Sequence, residues 1–403
     1  MEKKEKWIKP RHRIIRDVFG PLVFLYSRLH YGIKVERFRD QGDRAYLILM
    51  NHQTPLDQFF IAEAFRGSVY YLATEDLFSN GWVSSLIRWL VEPIPIKKQT
   101  TDINAVRNCI RVVREGGTIA MAPEGNRTYS GQTEYMNPAI GGLARKLGLP
   151  IALFRIEGGY GVEPRWSNVV RKGKMRAYVS EVIEPEEYAS MTADELYERI
   201  QKGLYVDEAV ADGLFRSDKK AEYLERAMYV CPFCGLSEFE SHGNEAHCKK
   251  CGRKITYGED KTITGQGYEF PFRFIKDWYL YQQEFVNGLD LTAMTEKPIY
   301  RDQAQLSEVI LNKRKELLRK QTQVCLYGDR VTVDEGTDRE LVFPFSEATA
   351  VTVLGRNKLN IYHNKQVYQL KGSARFNALK YVNFYYRYKN ISRGNEDGKF
   401  LGL

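Results

Sequence analysis

Residues 46–57 read Tyr-Leu-Ile-Leu-Met-Asn-His-Gln-Thr-Pro-Leu-Asp. The first five are wholly apolar and of strand length, with Asp43 and Arg44 before them and Asn51 after, so they predict a central strand buried on both faces. Thr54 suits a helix N-cap, Pro55 the first helical position, and Asp57 the third, where a carboxylate supports the cap. This places His52 in the loop and Asp57 in the first helical turn. Asp57 can then accept the Nδ1 proton of His52, fix its tautomer and leave Nε2 to take a proton from a hydroxyl. A His and an Asp at this spacing also occur as a plain hydrogen-bonded pair, so the surrounding sequence decides the reading.

Working outward, apolar runs at 69–73, 94–96, 118–122 and 150–156 alternate with helical stretches at 55–65, 82–90, 102–114 and 138–147. Such alternation predicts an α/β fold, a mixed sheet flanked by helices, with ligands gathered at the loops that follow the strands. The 403 residues are 43% hydrophobic and 28% charged, which excludes an extended disordered chain and allows more than one core.

Upstream, residues 1–16 carry seven Lys or Arg against two Glu, and the whole chain has a net charge of +9. That end favours an anionic surface, either phospholipid or nucleic acid. The apolar run from Val18 to Tyr26 is far shorter than the roughly 20 residues a membrane span needs, and no cleavage pattern of a signal peptide follows it. Arg16, Asp17, Arg28 and His30 flank an aromatic and aliphatic face, which predicts an interfacial helix within residues 1–35.

The segment Asn51-His52-x4-Asp57 resembles the first signature block of the glycerolipid acyltransferase family, whose type member is 1-acylglycerol-3-phosphate acyltransferase. The third block, typically Phe-Pro-Glu-Gly-Thr-Arg, is matched by Ala-Pro-Glu-Gly-Asn-Arg at 122–127, and Leu-Pro-Ile at 149–151 stands where the fourth is found. The resemblance covers about residues 14–205 and implies general-base catalysis by His52 oriented by Asp57, with Glu124, Gly125 and Arg127 in the block that binds the acceptor's phosphate. An ion-paired Arg127 and a hydrogen-bonding structural role for Glu124 are the plainer alternatives. Block two usually ends in an arginine, and Lys98 stands at or near that position; lysine can neutralise a phosphate but cannot grip it bidentately. With Asn126 and Ala122 also departing from the pattern, the acceptor head group stays open.

Cys231-x2-Cys234-Gly and Cys248-x2-Cys251-Gly form two knuckles thirteen residues apart. Four thiolates at this spacing predict a zinc ribbon whose Zn2+ has no open position and is therefore structural. Cys109 and Cys325 stand alone as apolar fillers. This cysteine usage points to a reducing compartment, hence a cytoplasmic protein at the inner face of the cell membrane.

The organisation expected is a membrane-associating segment at 1–35, an acyltransferase domain at 36–206, a helical connector at 207–228, the ribbon at 229–258, a second helical connector at 259–322 and an accessory module at 323–403. Within these, charged helix formers predict helices at 218–226 and 306–320, and short alternating runs closed by a helix near 374–387 predict a small α+β module resembling a PH or GRAM domain. The resemblance implies a lysophospholipid acyltransferase that takes a fatty acyl group from acyl-CoA or acyl carrier protein, with 1-acyl-sn-glycerol-3-phosphate as leading acceptor and phosphatidic acid as product. Two other readings use the same features: an acyltransferase-like lipid-binding adaptor, and a zinc-ribbon nucleic-acid-binding protein, which leaves the His52 and Glu124 blocks unexplained.

Overall fold

The computed structural model describes residues 6–96, 102–310 and 315–395. The chain divides into two units, one comprising Met1–Pro164 and Val170–Arg216, the other Arg165–Val169 and Ser217–Leu401.

In the first unit the elements run α1 (Pro10–Tyr31), β1 (Ile33–Val35), β2 (Leu47–Met50), α2 (Asp57–Ala64), β3 (Val69–Thr74), α3 (Trp82–Val91), β4 (Ile94–Ile96), α4 (Ile103–Arg114) and β5 (Thr118–Met121). They continue as α5 (Ala139–Leu147), β6 (Ile151–Glu157), α6 (Gly159–Val162), β7 (Met175–Ile183), α7 (Pro185–Tyr188) and α8 (Ala193–Leu204). Seven strands form one sheet in the order β1-β7-β6-β2-β5-β3-β4. The five strands from β6 to β4 are mutually parallel; β7 runs antiparallel to β6 and carries β1 parallel to itself, so the sheet is mixed.

Alternation along the central strands sends successive side chains to opposite faces, and both faces are covered. Ile48, Met50, Ala120, Phe154 and Ile156 pack under Phe60, Ile61 and Phe65 from α2 and its end, while Leu47, Leu49, Ile119, Ile151 and Leu153 pack against α4, α5 and α8. Phe215 belongs to the first of these cores, so the unit continues to Arg216. The helix after β2 begins two residues later than its sequence suggests, with Leu56 as N-cap. Thr54 instead closes a turn by accepting the Leu56 N–H on Oγ1, while its own N–H donates to Asp57.

The second unit opens with turns. Residues 218–226, expected as a helix, contain only a short 3-10 turn at Leu224–Arg226, because Leu224 and Ala227 are buried in the core while Glu222 accepts the Gly243 N–H and Glu225 the Ser241 hydroxyl. Then come a small hairpin of β8 (Val230–Cys231) and β9 (Gly235–Leu236), and an antiparallel sheet of β10 (Phe239–His242), β11 (Glu245–Cys248), β12 (Lys254–Tyr257) and β13 (Ile263–Gly265). Helix α9 (Ile275–Asn287) follows.

A second seven-stranded sheet comprises β14 (Tyr300–Glu308), β15 (Glu316–Leu326), β16 (Arg330–Val333), β17 (Leu341–Pro344), β18 (Ala350–Leu354), β19 (Lys358–His363) and β20 (Gln366–Gly372), in the order β17-β16-β15-β14-β20-β19-β18, and α10 (Leu379–Ser392) closes it. The helix expected at 306–320 is thus two strands. Its leucines, lysines and glutamates favour a helix locally, but Leu306, wholly buried, pairs with Arg319 and Leu370, and Ser307 with Leu317 and Gln369, so ladder pairing on both sides of β14 overrides that preference.

Candidate active site

The carboxyl ends of β2 and β5, parallel neighbours, bring the two sequence blocks to one edge of the sheet. His52 Nδ1 lies 2.7 Å from Asp57 Oδ2, and Asp57 is wholly buried while the imidazole is partly exposed. Asp57 takes three further bonds: Oδ2 accepts the Gln53 N–H at 2.7 Å, and Oδ1 accepts the Thr54 N–H at 2.8 Å and the Thr54 hydroxyl at 2.7 Å. A carboxylate in this setting is an acceptor only, so the proton between it and His52 belongs on Nδ1. Nε2 is left as the basic nitrogen.

Three residues hold this loop from outside the pair. Asn51 bonds Ile156 at the end of β6 twice, donating from Nδ2 to its carbonyl and accepting its N–H on Oδ1, both at 2.8 Å. Gln53 Oε1 accepts the Tyr160 N–H at 3.0 Å. Glu124, buried, accepts the His52 N–H at 2.9 Å on one oxygen and the Glu134 N–H at 2.8 Å on the other. Glu134 in turn accepts the Thr128 hydroxyl and the Tyr129 N–H. Glu124 therefore links the two blocks through backbone bonds. Asn51 and Gln53 carry no distinctive spacing, and only their place directly after a buried strand hints at their roles.

Burial pushes the Glu124 carboxyl up from the ordinary 4.5 to about 8, against the pull of its two N–H donors. A group whose proton is held more tightly in the folded state adds stability that is full below 4.5 and lost as pH rises through about 8. Compared with Glu124→Gln, the wild type should therefore lose stability across that window, by at most about 1.4 kcal/mol per pH unit. Paired thermal melts at pH values from about 4 to about 9, which bracket the window, would show it; a pH-independent difference between the two proteins would refute it.

Gly125 sits exposed in the turn after β5, where its N–H bonds the Ala122 carbonyl at 3.0 Å. Arg127 follows, half-buried, on the same loop. Lys98 lies outside the described residues.

Away from this edge, the sulfurs of Cys231, Cys234, Cys248 and Cys251 lie within 4.8 Å of one another, the group of metal-ligating type found among the described residues. Cys231 and Cys251 are 3.7 Å apart and Cys234 and Cys248 3.5 Å, too far for disulfides and near the edge of about 3.8 Å that a tetrahedron of zinc–sulfur bonds requires. Gly235 and Gly252, each following the second cysteine of a pair, have φ of 77° and 72°, the left-handed conformation that turns the knuckle back toward its sulfurs.

Residues 32–156 match the family described as Acyltransferase. Among solved structures, the 1-acyl-sn-glycerophosphate (LPA) acyltransferase PlsC from Thermotoga maritima is similar over 48% of this chain and 76% of its own, at 22% identity and a TM-score of 0.39. No curated protein matches the chain.

Proposed function

We infer that this chain, whose residues 32–156 form an acyltransferase domain, moves a fatty acyl group from a thioester donor, acyl-CoA or acyl carrier protein, to the free hydroxyl of a lysophospholipid. The acceptor we propose is 1-acyl-sn-glycerol-3-phosphate, giving phosphatidic acid. The observation that carries this reading is the His52–Asp57 pair at the carboxyl edge of β2, with Nδ1 committed to a buried carboxylate.

In this reading Nε2 removes the proton from the acceptor hydroxyl as its oxygen attacks the thioester carbonyl. The resulting imidazolium is stabilised by Asp57. Collapse of the tetrahedral intermediate breaks the carbon–sulfur bond, and the departing thiolate takes the proton back from Nε2. No covalent protein intermediate is needed. Arg127 supplies a forked donor to the acceptor's phosphate, with Gly125 shaping its loop and Lys98 adding charge.

Replacing Arg127 with Ala should raise the acceptor KM by roughly tenfold to a hundredfold, the loss of a charge-assisted contact, and leave the donor KM unchanged. Steady-state kinetics with each substrate varied in turn measures this. Equal effects on both substrates would place Arg127 outside the phosphate site.

The four cysteines would hold a structural Zn2+ that polarises nothing in the reaction. The second seven-stranded sheet has a four-strand meander and a three-strand meander joined through β14 and β20, with one C-terminal helix, an arrangement in keeping with a PH-like module. No helix among the described residues is long and apolar enough to cross a membrane. We propose peripheral attachment to an anionic, cytoplasm-facing membrane through α1, which exposes Ile14, Val18, Leu22, Leu25 and Leu29 along one side.

A further inference from the structure

The helix α3 reads Trp-Val-Ser-Ser-Leu-Ile-Arg-Trp-Leu-Val, and of its ten residues only Ser84 is buried. Trp82 is 76% exposed, Trp89 53% and Leu86 44%, with Val83 and Val91 also open. Apart from the side carrying Ser84, Ser85 and Arg88 the helix is apolar, and singly scattered surface hydrophobes do not account for two tryptophans and three aliphatics open on one short element.

Helix α3 also does not stand alone. Arg11 of α1 donates from Nε to the Trp89 carbonyl at 3.0 Å and lies 5.6 Å from its ring centre. Trp7 donates to the Glu92 carbonyl at 3.0 Å, Lys9 pairs with the Glu92 carboxylate at 3.0 Å, and buried His12 anchors α1 to β3 through the Tyr70 hydroxyl at 3.1 Å. The open apolar stripe of α1, where Leu22 is 67% and Leu29 78% exposed, thereby belongs to the same unit as the open face of α3. The charges on these elements are one-sided. Lys6, Lys9, Arg11, Arg13, Arg16, Arg28 and Arg88 stand against Asp17 and Glu92, an excess of five cations, although Lys9 pairs with Glu92, Arg16 with Asp17 and Arg28 with Glu63 of α2. An apolar face rimmed by cations, with tryptophans on it, complements an anionic lipid surface, where the indole rings sit at headgroup level.

We propose that α3 is a second lipid-facing element of this protein and that Trp82 and Trp89 are its interfacial anchors. The strand before it, β3, ends at the same edge of the sheet as β2 and His52. A bilayer held by α1 and α3 together therefore meets the acyltransferase domain beside the loops that carry its chemistry, where a membrane-resident acceptor and long acyl chains are presented. The inference rests on the proposed function for that last step alone; lipid binding by α3 stands on its own exposed residues.

The test uses the full chain with vesicles of phosphatidylcholine and phosphatidylglycerol, some of the phosphatidylcholine brominated on its acyl chains to quench tryptophan. Of the other three tryptophans, Trp166 and Trp278 are wholly buried and Trp7 is half-buried against the core, so the signal of the Trp82→Phe with Trp89→Phe variant gives the background to subtract. Wild type should be quenched on vesicle addition, and Trp82→Phe with Trp89→Phe should still sediment with vesicles while losing most of the quenching. Trp82→Ala with Trp89→Ala should partition at least about tenfold more weakly, the loss expected for two interfacial aromatic side chains. Its acyl transfer in detergent micelles, measured beside wild type, should be unchanged. Vesicle affinity and quenching in the Ala variant equal to wild type would overturn the proposal. So would a loss of dimers in sedimentation velocity with vesicle binding intact, which would make a second copy of the chain the partner. Wild-type quenching supports the lipid face whatever the micellar activity, so a failure of the enzymatic reading is recognised separately.

Discussion

His52→Ala should lower acyl-transfer turnover by about 10² to 10⁴, the usual cost of removing a positioned general base, with the fold retained. The imidazole is partly exposed, and Asp57 Oδ2 keeps the Gln53 N–H after the ring is gone, so the truncation leaves no wholly unsatisfied buried charge. Asp57→Asn should behave differently. Its four bonds are all accepted, two of them from backbone N–H groups on different oxygens, so an amide NH2 must face a donor whichever way it turns. That variant should lose stability by about 1 to 3 kcal/mol in addition to turnover. Turnover, thermal melts and far-UV circular dichroism on both purified proteins separate the two cases. A His52→Ala protein that kept more than about a tenth of wild-type turnover would remove His52 from the role of base.

The part of this site that was legible in the sequence is the part whose partners are close in the chain. His52 and Asp57 are five residues apart, and a buried strand followed by a turn fixes their meeting. The bonds that hold them are different in kind. Asn51 reaches Ile156 across 105 residues and Glu124 reaches the His52 backbone across 72, and neither pairing leaves a periodic trace. The same distinction separates the elements that were foreseen from those that were not. The strands β2 and β5 are buried along their length and β6 over its first four residues, and all three read as short apolar runs, with only Arg155 and Glu157 interrupting the end of β6. Strand β7 alternates, with Arg176, Ser180 and Glu181 breaking the run, and it takes its place by pairing antiparallel with β6 and parallel with β1. At 306–320 local preference pointed to a helix, and pairing over longer range decided for strands.

Removing the metal from the four cysteines should unfold the ribbon and leave acyl transfer standing. In zinc-finger peptides structural zinc binding is worth about 10 to 16 kcal/mol at neutral pH, more than a small unit can lose and stay folded. The cysteine cluster has an outer partner: the Ser237 hydroxyl lies 3.0 Å from the Cys248 sulfur, where it could donate to a metal-bound thiolate. The ribbon also supports helix α9. Trp278 of this helix, wholly buried, donates to the Val230 carbonyl at 2.8 Å, and Gln282 accepts the N–H groups of Tyr229 and Val230. Collapse of the knuckles should therefore loosen α9 and expose Trp278. Metal analysis of the full chain should give one zinc per chain, and chelation or Cys231→Ser should abolish amide protection across 229–258 and α9 in hydrogen exchange. Strands β2 and β5 should stay protected. With these four cysteines filling every position of a tetrahedral Zn2+, no water would be available for activation, and transfer from a soluble short-chain thioester should persist. Loss of that transfer while β2 and β5 remain protected would show that the metal serves the reaction directly.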